Sequence, residues 1–330
     1  MVQHFIYSGE ALMAHVIAIH EYGDPSVLRI ENVDVGEPGP GEVLLRQDAV
    51  GVNAVDAIMR EGRFGTPLPA VLGVEGAGVI QAVGPGVKRH APGDRVGYFY
   101  SMGGYATERV IPAEALIPLP EDIETDQAAA FLAKGLTAWM GISVLHQVEP
   151  GQVILVQGAS GGVGSILSRW AKDRGATVIA VAGSKTKLPR VQAGATHALY
   201  AADPDFLATV RDVAPAGVDV VYDLVGQATA GLSTQAVRDG GKIITIGAAS
   251  GPPLHYTALE SERGIQLVGG STPQHVQPAT NPKPASELFA AIRSGLFHEL
   301  KITPYAFEEA RQSHEDLKHR VLPGLPILKQ

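Results

Sequence analysis

The chain has 330 residues, 45% of them hydrophobic and 18% charged, which is enough apolar material for one large or two moderate packed domains. With histidine counted as neutral the net charge is −8, which argues against general binding to nucleic acid or to anionic membranes, because both need a basic surface. The absence of cysteine excludes disulfides, thiolate nucleophiles and thiolate metal sites, and a cytoplasmic location is the simplest expectation.

The N-terminal part of the chain predicts a mostly β domain. Residues 1–13 lack a basic segment followed by a long apolar one, so they do not resemble a secretory signal, and we predict an extension outside the fold. No uninterrupted apolar run approaches the ~18 residues of a membrane span. Short apolar or alternating runs, separated by turn clusters rich in Gly and Pro, predict strands at 16–20, 42–53, 78–84 and 94–100.

After about residue 150 the pattern changes to strands that alternate with helices. Such alternation is typical of a parallel, doubly wound sheet. A helix is predicted at 163–175, ended by Gly175, and a second helical stretch runs to Gly194. Strands are predicted at 152–158, 177–183, 219–226, 242–248 and 265–271.

The C-terminal part is predicted to be a loop, a helix and short β-like pieces. The Pro-rich stretch 272–284 predicts a loop, and 285–295 predicts a helix. About 55 residues follow the α/β block, too few for a separate domain. We therefore expect them to return to the N-terminal β domain and complete it, leaving a cleft between the two domains.

The strongest motif is "QGASGGVG" (157–164), placed after a predicted strand and before a predicted helix. It matches the dinucleotide-binding fingerprint with Ala159 in place of the first glycine. Gly161 lets the backbone approach a pyrophosphate, and Gly164 lets the helix pack on the strand. The alternative is a glycine-rich turn without a ligand, which the flanking strand and helix make the weaker interpretation.

The end of the second strand of this block indicates which nicotinamide cofactor is bound. NAD-binding proteins usually place an acid there for the ribose hydroxyl, but "VAGSKTK" (181–187) contains none. It offers Ser184, Lys185 and Lys187, and each charge-assisted hydrogen bond to a 2′-phosphate contributes roughly 1.5–3 kcal/mol. The pattern predicts NADPH; the alternative is that these are solvated lysines at a helix start.

Two other segments carry polar residues with a candidate role. Asn53 has an amide suited to a carboxamide or carbonyl group, although a turn Asn followed by a helix-capping Asp56 is the simpler interpretation and the one that the pattern alone favours. Lys134 and Thr137 stand out in the apolar stretch 128–139. A surface lysine and a capping threonine are the alternative there.

The remaining aromatic and imidazole side chains give weaker indications. The tyrosines between residues 98 and 105 are interpreted as half-buried strand aromatics. The eleven histidines are scattered, without an H-x-x-x-H pair, and are interpreted as surface groups or satisfied polar groups.

Together these pieces resemble the medium-chain dehydrogenase/reductase superfamily, and within it the zeta-crystallin-like, zinc-free quinone oxidoreductases. The resemblance implies an α/β fold, with a GroES-like, mostly β catalytic domain at 14–135 and 273–330 and a Rossmann NADPH-binding domain at 136–272. Its carriers are "GVNAVDAIMREG", "LGVEGAGVIQAVGPGVKRHAPGDRVGY", "FLAKGLTAW", "QGASGGVG" and "VVYDLVG".

The resemblance also implies that this chain needs no metal. In the zinc branch of the superfamily a cysteine stands where this chain has Asn53, and a histidine stands where it has Val74. Without a Lewis acid an alcohol is hard to ionise at neutral pH, so alcohol oxidation is not expected. Quinones and alkenes conjugated to a carbonyl can accept hydride directly and remain as candidate acceptors.

By resemblance, Asn53 lies beside the nicotinamide. Asn53 and Lys134 are the candidate catalytic residues, and a tyrosine or water is the alternative to Lys134 as proton donor. Ile58 and Phe64 depart from the family, which often carries tyrosine near the substrate, so positioning of a quinone by that tyrosine is not expected. The implied cofactor-binding residues are Asn53, Thr137, Ser160, Gly161, Gly162, Val163, Ser184, Lys187, Tyr200, Gly226, Gly247, Ala248, Ala249 and Ser271.

We therefore expect an NADPH-dependent reductase that transfers hydride to a quinone. The alternatives are an enone or enal reductase on the same fold, and an NADPH-binding protein with a structural or sensing role. The expected partners are a small-molecule electrophile and a second copy of the chain, because the apolar strand at 264–271 would otherwise be an exposed edge.

Overall fold

The computed structural model describes residues 12–251, 262–277 and 280–330, so residues 1–11 of the predicted extension lie outside the described residues. Contacts divide the chain into two units. The first holds the described residues up to Ala130 together with Ile302–Gln330, and the second holds those of Phe131–Lys301. The predicted domain limits at 135/136 and 272/273 remain a prediction.

Strands and helices follow one another along the described chain. The strands are β1 (Met13–Ile19), β2 (Arg29–Asp34), β3 (Glu42–Gly51), β4 (Ala70–Val71), β5 (Glu75–Val83), β6 (Arg95–Phe99), β7 (Glu108–Pro112), β8 (Ile117–Pro118), β9 (Val153–Gln157), β10 (Thr177–Ala182), β11 (His197–Tyr200), β12 (Val218–Asp223), β13 (Val237–Thr245), β14 (Gln266–Gly269), β15 (Ile302–Ala306) and β16 (Leu325–Lys329). The helices are α1 (Ala54–Arg60), α2 (Thr125–Met140), α3 (Gly162–Asp173), α4 (Leu188–Gln192), α5 (Phe206–Val213), α6 (Ala230–Ala236), α7 (Thr272–His275), α8 (Lys283–Arg293) and α9 (Ala310–His319).

The first unit is mostly β, as predicted, and contains two sheets. A three-stranded antiparallel sheet has the order β2–β1–β4. A larger sheet has the order β15–β16–β3–β5–β6–β8, and β7 also pairs with β3. Alternate residues of β3 and β5 face the core, where Val43, Leu45 and Ile80 are buried with Val96 and Ile111.

The return of the chain to the first unit is confirmed, since β16 pairs antiparallel with β3 through Ile327 opposite Gly51. The prediction of only short β-like pieces at the C-terminus is wrong, because α9 lies between β15 and β16. This helix is polar over most of its surface and buries only a narrow stripe, which includes Ala310 and His314. So narrow a stripe gives a weak helical pattern in the sequence.

Helix α2 is mostly buried and continues into one π-helical turn at Gly141–Leu145. Among the described residues, Thr125–Leu145 is long and apolar enough to cross a membrane, with a mean hydropathy of 1.5. The 18-residue window that meets this test is 89% buried inside the protein. The stretch therefore has the burial of a core helix in a folded protein.

The second unit contains the predicted parallel sheet, with the order β11–β10–β9–β12–β13–β14. The strands are apolar and buried, and Leu155, Ile179 and Val221 share a core with Phe206 and Val210 of α5. The chain moves outward from β9 in one direction and from β12 in the other. The carboxyl ends of β9 and β12 therefore mark the topological switch point, where ligands of such sheets bind.

The segment after the sheet differs in part from its prediction. The stretch 272–284 was expected to be a loop, but Thr272–His275 forms the short helix α7, and residues 278–279 lie outside the described residues. Ser271 provides the N-cap and Pro273 stands in the first turn, where a proline is tolerated. The predicted helix at 285–295 is confirmed as α8.

Candidate functional site

The loop Gly158–Gly161 joins the end of β9 to the start of α3. Gly161 is the N-cap residue of α3, and no side chain caps this helix. The N–H groups of a first helical turn have no intrahelical partner, so those of Gly162 and Val163 face out of the positive end of the helix dipole. Such a helix start can bind a phosphate anion through backbone N–H groups.

Gly161 and Gly164, the two glycines of the fingerprint motif, have different roles. A Cβ at Gly164 would lie 2.4 Å from the carbonyl oxygen of Gly158 and 2.9 Å from the Cα of Ala159. A Cβ at Gly161 would have one heavy atom of the described chain within 4 Å, the Gly158 oxygen at 3.3 Å. Gly164 is therefore required by packing, whereas the space beside Gly161, which follows the half-buried Ser160, is open to a ligand.

The carboxyl ends of β10 and β11 bring three predicted residues to one edge of the sheet. Ala182 at the end of β10 is opposite Tyr200 at the end of β11. Ser184 is at the N-cap position of the helical turn Lys185–Lys187, which contacts β11, and the Ser184 hydroxyl lies 2.9 Å from that of Thr186. A hydroxyl, two lysines and a phenol thus stand where an acid is absent, which suits a phosphate dianion.

At the switch point, Asp223 ends β12 and is fully buried. Its carboxylate accepts hydrogen bonds from the backbone N–H groups of Val225 (2.9 Å) and Gly226 (2.8 Å). It also accepts from the hydroxyls of Thr229 (2.8 and 2.9 Å) and Ser233 (2.8 Å). Asp223 therefore fixes the loop that follows β12.

This loop packs against the one that follows β13. Gly226 has a φ of +94°, and a Cβ there would lie 2.2 Å from the carbonyl oxygen of Gly251. The Ser250 N–H donates to Val225 O at 2.8 Å, and the Gln227 N–H donates to Gly251 O at 3.0 Å. The structure thus joins the loop of Gly226 to the one that carries the predicted residues Gly247, Ala248 and Ala249.

In the first unit, Asn53 is buried at the N-cap position of α1. Its side-chain Nδ2 donates to the carboxylate of the fully buried Glu75 at 2.9 Å. Its backbone N–H donates to Asp56 Oδ2 at 2.7 Å, so Asp56 caps the helix as the simpler interpretation expected. A Cβ at Gly51 would lie 2.2 Å from Glu75 Oε2, so this position leaves room for the glutamate.

Helix α2 presents Lys134 and Thr137, and both are buried, so Lys134 is not a surface lysine. The Thr137 hydroxyl donates to Ala133 O at 2.6 Å. It lies 2.7 Å from the hydroxyl of Thr272, which must be the donor of this second bond because Thr137 has one proton. The contact brings Thr137 next to α7, whose N-cap is Ser271.

Three residues of these sites, Glu75, Asp223 and Thr272, were not among the predicted ones. Each is polar and almost fully buried, and each fixes a predicted residue: Asn53, the loop of Gly226 and Thr137 respectively. The only sequence signal was a single acid at the end of an apolar strand in "VVYDLVG". The partners of Glu75 and Thr272 are distant in sequence.

The position of the family's metal-binding histidine holds Val74, which is buried and apolar. Within the described ranges, no three His, Cys, Asp or Glu side chains are grouped so that they could hold a metal ion. The donor set for a zinc site is therefore not assembled by these residues.

The chain is similar in sequence and in structure to known dehydrogenases and reductases. Residues 39–121 match the family "Alcohol dehydrogenase GroES-like domain", and residues 162–279 match "Zinc-binding dehydrogenase". The chain is 34% identical to a 2-haloacrylate reductase of Burkholderia sp and 34% identical to a quinone oxidoreductase of Salmonella typhimurium, each time over 96% of this chain and 99% of the relative. The structure is similar to that of an Escherichia coli quinone oxidoreductase complexed with NADPH, with a TM-score of 0.91, 29% identity and coverage of 96% of this chain and 100% of the other.

Proposed function

This chain belongs to the medium-chain dehydrogenase/reductase superfamily, in its zinc-free quinone oxidoreductase branch, and from this premise we propose that it is an NADPH-dependent reductase of quinones and related electrophiles. One observation carries the proposal. The carboxyl edge of the parallel sheet combines an uncapped helix start at Gly161 with a basic end of β10 that contains no acid. An anionic dinucleotide with an additional phosphate matches both features.

The residues of the second unit fit NADPH. The N–H groups of Gly162 and Val163 and the open space at Gly161 would hold the pyrophosphate. Ser184, Lys187 and Tyr200 would hold the 2′-phosphate, with Lys187 supplying a charge and Ser184 a hydroxyl. When bound, the cofactor supplies hydride from its nicotinamide ring.

The residues proposed near the nicotinamide and its ribose are Asn53 and Thr137, supported by their burial and fixed orientation. Glu75 takes one hydrogen of the Asn53 amide, which leaves the other hydrogen and the oxygen for a ligand. Thr137 gives its proton to Ala133 O and accepts from Thr272, which leaves one lone pair of its oxygen as an acceptor for a ligand. Lys134 remains our proposal for a second catalytic group, supported by its burial within α2.

Reduction without a metal is the chemistry proposed for this set of residues. Quinones and conjugated carbonyl compounds are polarised enough to accept hydride directly. The protein's contribution is orientation of the two reactants and exclusion of water. Val74 in place of a histidine supports this proposal, because an isopropyl group offers no donor to a metal.

An enone or enal reductase is the second candidate, and one observation favours it. Ile58 and Phe64 replace tyrosines that are frequent near the substrate of the family, and 61% of Phe64 is exposed. These apolar side chains suit an acceptor less polar than a quinone. The similarity to a 2-haloacrylate reductase supports an electron-poor alkene as acceptor on different grounds, since the carboxylate of a haloacrylate is not apolar. A non-catalytic NADPH-binding role is the third candidate.

The test is to measure loss of NADPH with a panel of quinones, enals and haloacrylates, before and after exhaustive chelation. The proposal expects turnover with at least one quinone and the same rate after chelation. Turnover with alkenes alone would replace quinone reduction with the second candidate. Binding of NADPH without turnover on any acceptor would leave the third, and a rate that depends on zinc would contradict a metal-free mechanism.

Lys187→Ala is expected to raise the Michaelis constant for NADPH by roughly tenfold or more, the value of one charge-assisted hydrogen bond. The constant for NADH should stay nearly unchanged, because NADH has no 2′-phosphate for this lysine. Turnover at saturation should fall little, since the 2′-phosphate is far from the reacting carbon. Steady-state kinetics with both cofactors measure the effect, and equal weakening of both would show that Lys187 supports the fold instead.

We further propose a homodimer that forms through β14. Among the described strands, β14 is at the edge of the six-stranded sheet and is partly exposed, which suits pairing across a two-fold axis. Light scattering at micromolar concentration should give twice the mass of the chain. A monomeric mass under these conditions would rule the proposal out.

A cytoplasmic location is also proposed, supported by a chain of 330 residues without cysteine. Fractionation of the producing cells with an antibody against the chain tests it. Recovery of the protein in the membrane or secreted fraction would contradict the proposal.

A further inference from the structure

Four buried polar side chains of the first unit form a continuous hydrogen-bonded row, which runs from Arg60 at the end of α1 through His314 of α9 and Tyr105 to Asp56 in the first turn of α1. Arg60 Nη1 lies 2.8 Å from His314 Nδ1, and His314 Nε2 lies 2.8 Å from the Tyr105 hydroxyl. The Tyr105 hydroxyl donates to Asp56 Oδ2 at 3.2 Å. Each of these residues is at most 1% exposed, so Tyr105 is not the half-buried aromatic that the sequence predicted, whereas His314 is a satisfied polar group as expected.

The direction of every hydrogen bond in the row is fixed by its ends. Arginine only donates, so His314 Nδ1 accepts and its Nε2 carries the proton. Nε2 therefore donates to the oxygen of Tyr105, and the single proton of Tyr105 goes to Asp56. The row runs without a break from a buried cation to a buried carboxylate, and a polarised row of this kind rigidifies its members.

The imidazole in the middle of the row is neutral at physiological pH. Burial lowers the pKa of His314 to about 3, and the neighbouring Arg60 cation acts in the same direction. Burial and the Asp56 carboxylate together hold the pKa of Tyr105 well above its ordinary value. Neither group changes charge near pH 7, so the row is a fixed support and not a source of protons.

The carboxylate end of the row reaches Asn53. Asp56 Oδ2, which accepts from Tyr105, also accepts the backbone N–H of Asn53 at 2.7 Å. Independently, Glu75 accepts from the side-chain amide of Asn53 at 2.9 Å. The backbone and the side chain of Asn53 are thus held by two different buried carboxylates, and only the first of these is connected to the row.

We propose that Arg60, His314 and Tyr105 are positioning residues that orient Asp56 and, through it, Asn53 for hydride transfer. The functional part rests on the proposed function, in which Asn53 contacts the nicotinamide. None of the three is among the residues proposed to bind the cofactor. Their effect is to hold the N-terminus of α1 in one place, which matters because small displacements of an orienting group lower the rate strongly.

Tyr105→Phe tests the proposal, because it removes only the hydroxyl and keeps the ring. Hydrogen exchange at the Asn53 backbone amide should accelerate by about tenfold or more, because the lost hydrogen bond is made to a carboxylate and such bonds contribute roughly 1.5–3 kcal/mol. With an active acceptor, kcat should fall about tenfold on the same basis. The dissociation constant for NADPH, followed by tryptophan fluorescence, should stay near its wild-type value.

Tyr98→Phe is the matched control. Tyr98 is equally buried, and its hydroxyl donates to Gln47 Oε1, outside the row. Both variants lose one buried hydroxyl, so both should lose stability, but only Tyr105→Phe should change exchange at Asn53. Equal exchange at Asn53 in the two variants, or no change in Tyr105→Phe, overturns the proposal.

Two further comparisons separate positioning from folding and from function. His314→Gln keeps an acceptor oxygen and a donor nitrogen and should retain slow exchange at Asn53, whereas His314→Leu should not. In an Asn53→Ala background, Tyr105→Phe should no longer lower kcat, and a persisting loss overturns the role in hydride transfer. If wild type reduces no acceptor, the proposed function fails, and exchange at Asn53 still decides whether the row positions this residue.

Discussion

Gly161→Ala is expected to raise the dissociation constant for NADPH by about 100-fold while leaving the fold intact. The added methyl would stand where the pyrophosphate approaches α3, and an overpacked contact of this kind costs up to about 3 kcal/mol. Among the described residues the methyl meets only the Gly158 oxygen, at 3.3 Å, and the φ of −83° suits any residue. Calorimetric titration with NADPH measures the affinity, and thermal unfolding measures stability.

Gly164→Ala provides the contrast, because its methyl would lie 2.4 Å from the Gly158 carbonyl oxygen, a backbone atom that cannot rotate away. We expect the free energy of unfolding to fall by about 1–3 kcal/mol. The two variants should therefore separate, one losing mainly affinity and the other mainly stability. NADPH binding by Gly161→Ala at wild-type strength would show that the pyrophosphate does not lie on this loop.

Asp223→Ala is expected to lower the free energy of unfolding of the second unit by about 3–5 kcal/mol, because it leaves several buried donors without an acceptor. The stranded groups are the N–H groups of Val225 and Gly226 and the hydroxyls of Thr229 and Ser233. Urea unfolding followed by tryptophan fluorescence measures the change in the second unit, which contains Asp223. Both tryptophans of the chain lie within Phe131–Lys301.

Asp219→Ala on the same strand is the control. Asp219 is half-exposed and accepts one backbone N–H, from Val153, and one bond from Arg238. Water can replace the lost carboxylate there, so the cost should be about 1 kcal/mol. A similar loss in both variants would mean that the burial of Asp223 adds nothing, which would contradict its role at the switch point.

Several sheet strands of both units could be predicted because their signal is local, whereas β2, β7 and β11 were not among the predicted strands. Strands β9, β10 and β12 are short apolar runs bounded by turns, and β3 and β5 contain apolar runs beside clusters of turn residues. Helix α9 was missed because its buried stripe includes Ser313 and His314, which count as polar in any sequence pattern. Their burial depends on partners such as Arg60 that are more than two hundred residues away.

The residues of the candidate site likewise divide into those that lie in a local sequence motif and those whose role depends on a partner distant in sequence. The glycine loop and the basic end of β10 were visible, since each is a contiguous motif with a mechanical reason for its residues. Glu75 was not predicted, although it lies in the quoted motif "LGVEGAG", because its role is defined by an amide twenty-two residues earlier. Thr272 was likewise assigned to a loop, and its contact with Thr137 joins groups 135 residues apart.

The pairing of β16 with β3 also constrains the order in which the chain acquires structure during translation. Ile327 is opposite Gly51, so the larger sheet of the first unit includes a strand made only after the whole of Phe131–Lys301. The parallel sheet draws its strands from one continuous segment and can form as that segment leaves the ribosome. Until β16 has been synthesised, Ala49–Gly51 of β3 lack this partner strand and present an open backbone edge. A chain stalled before that point exposes the edge to self-association.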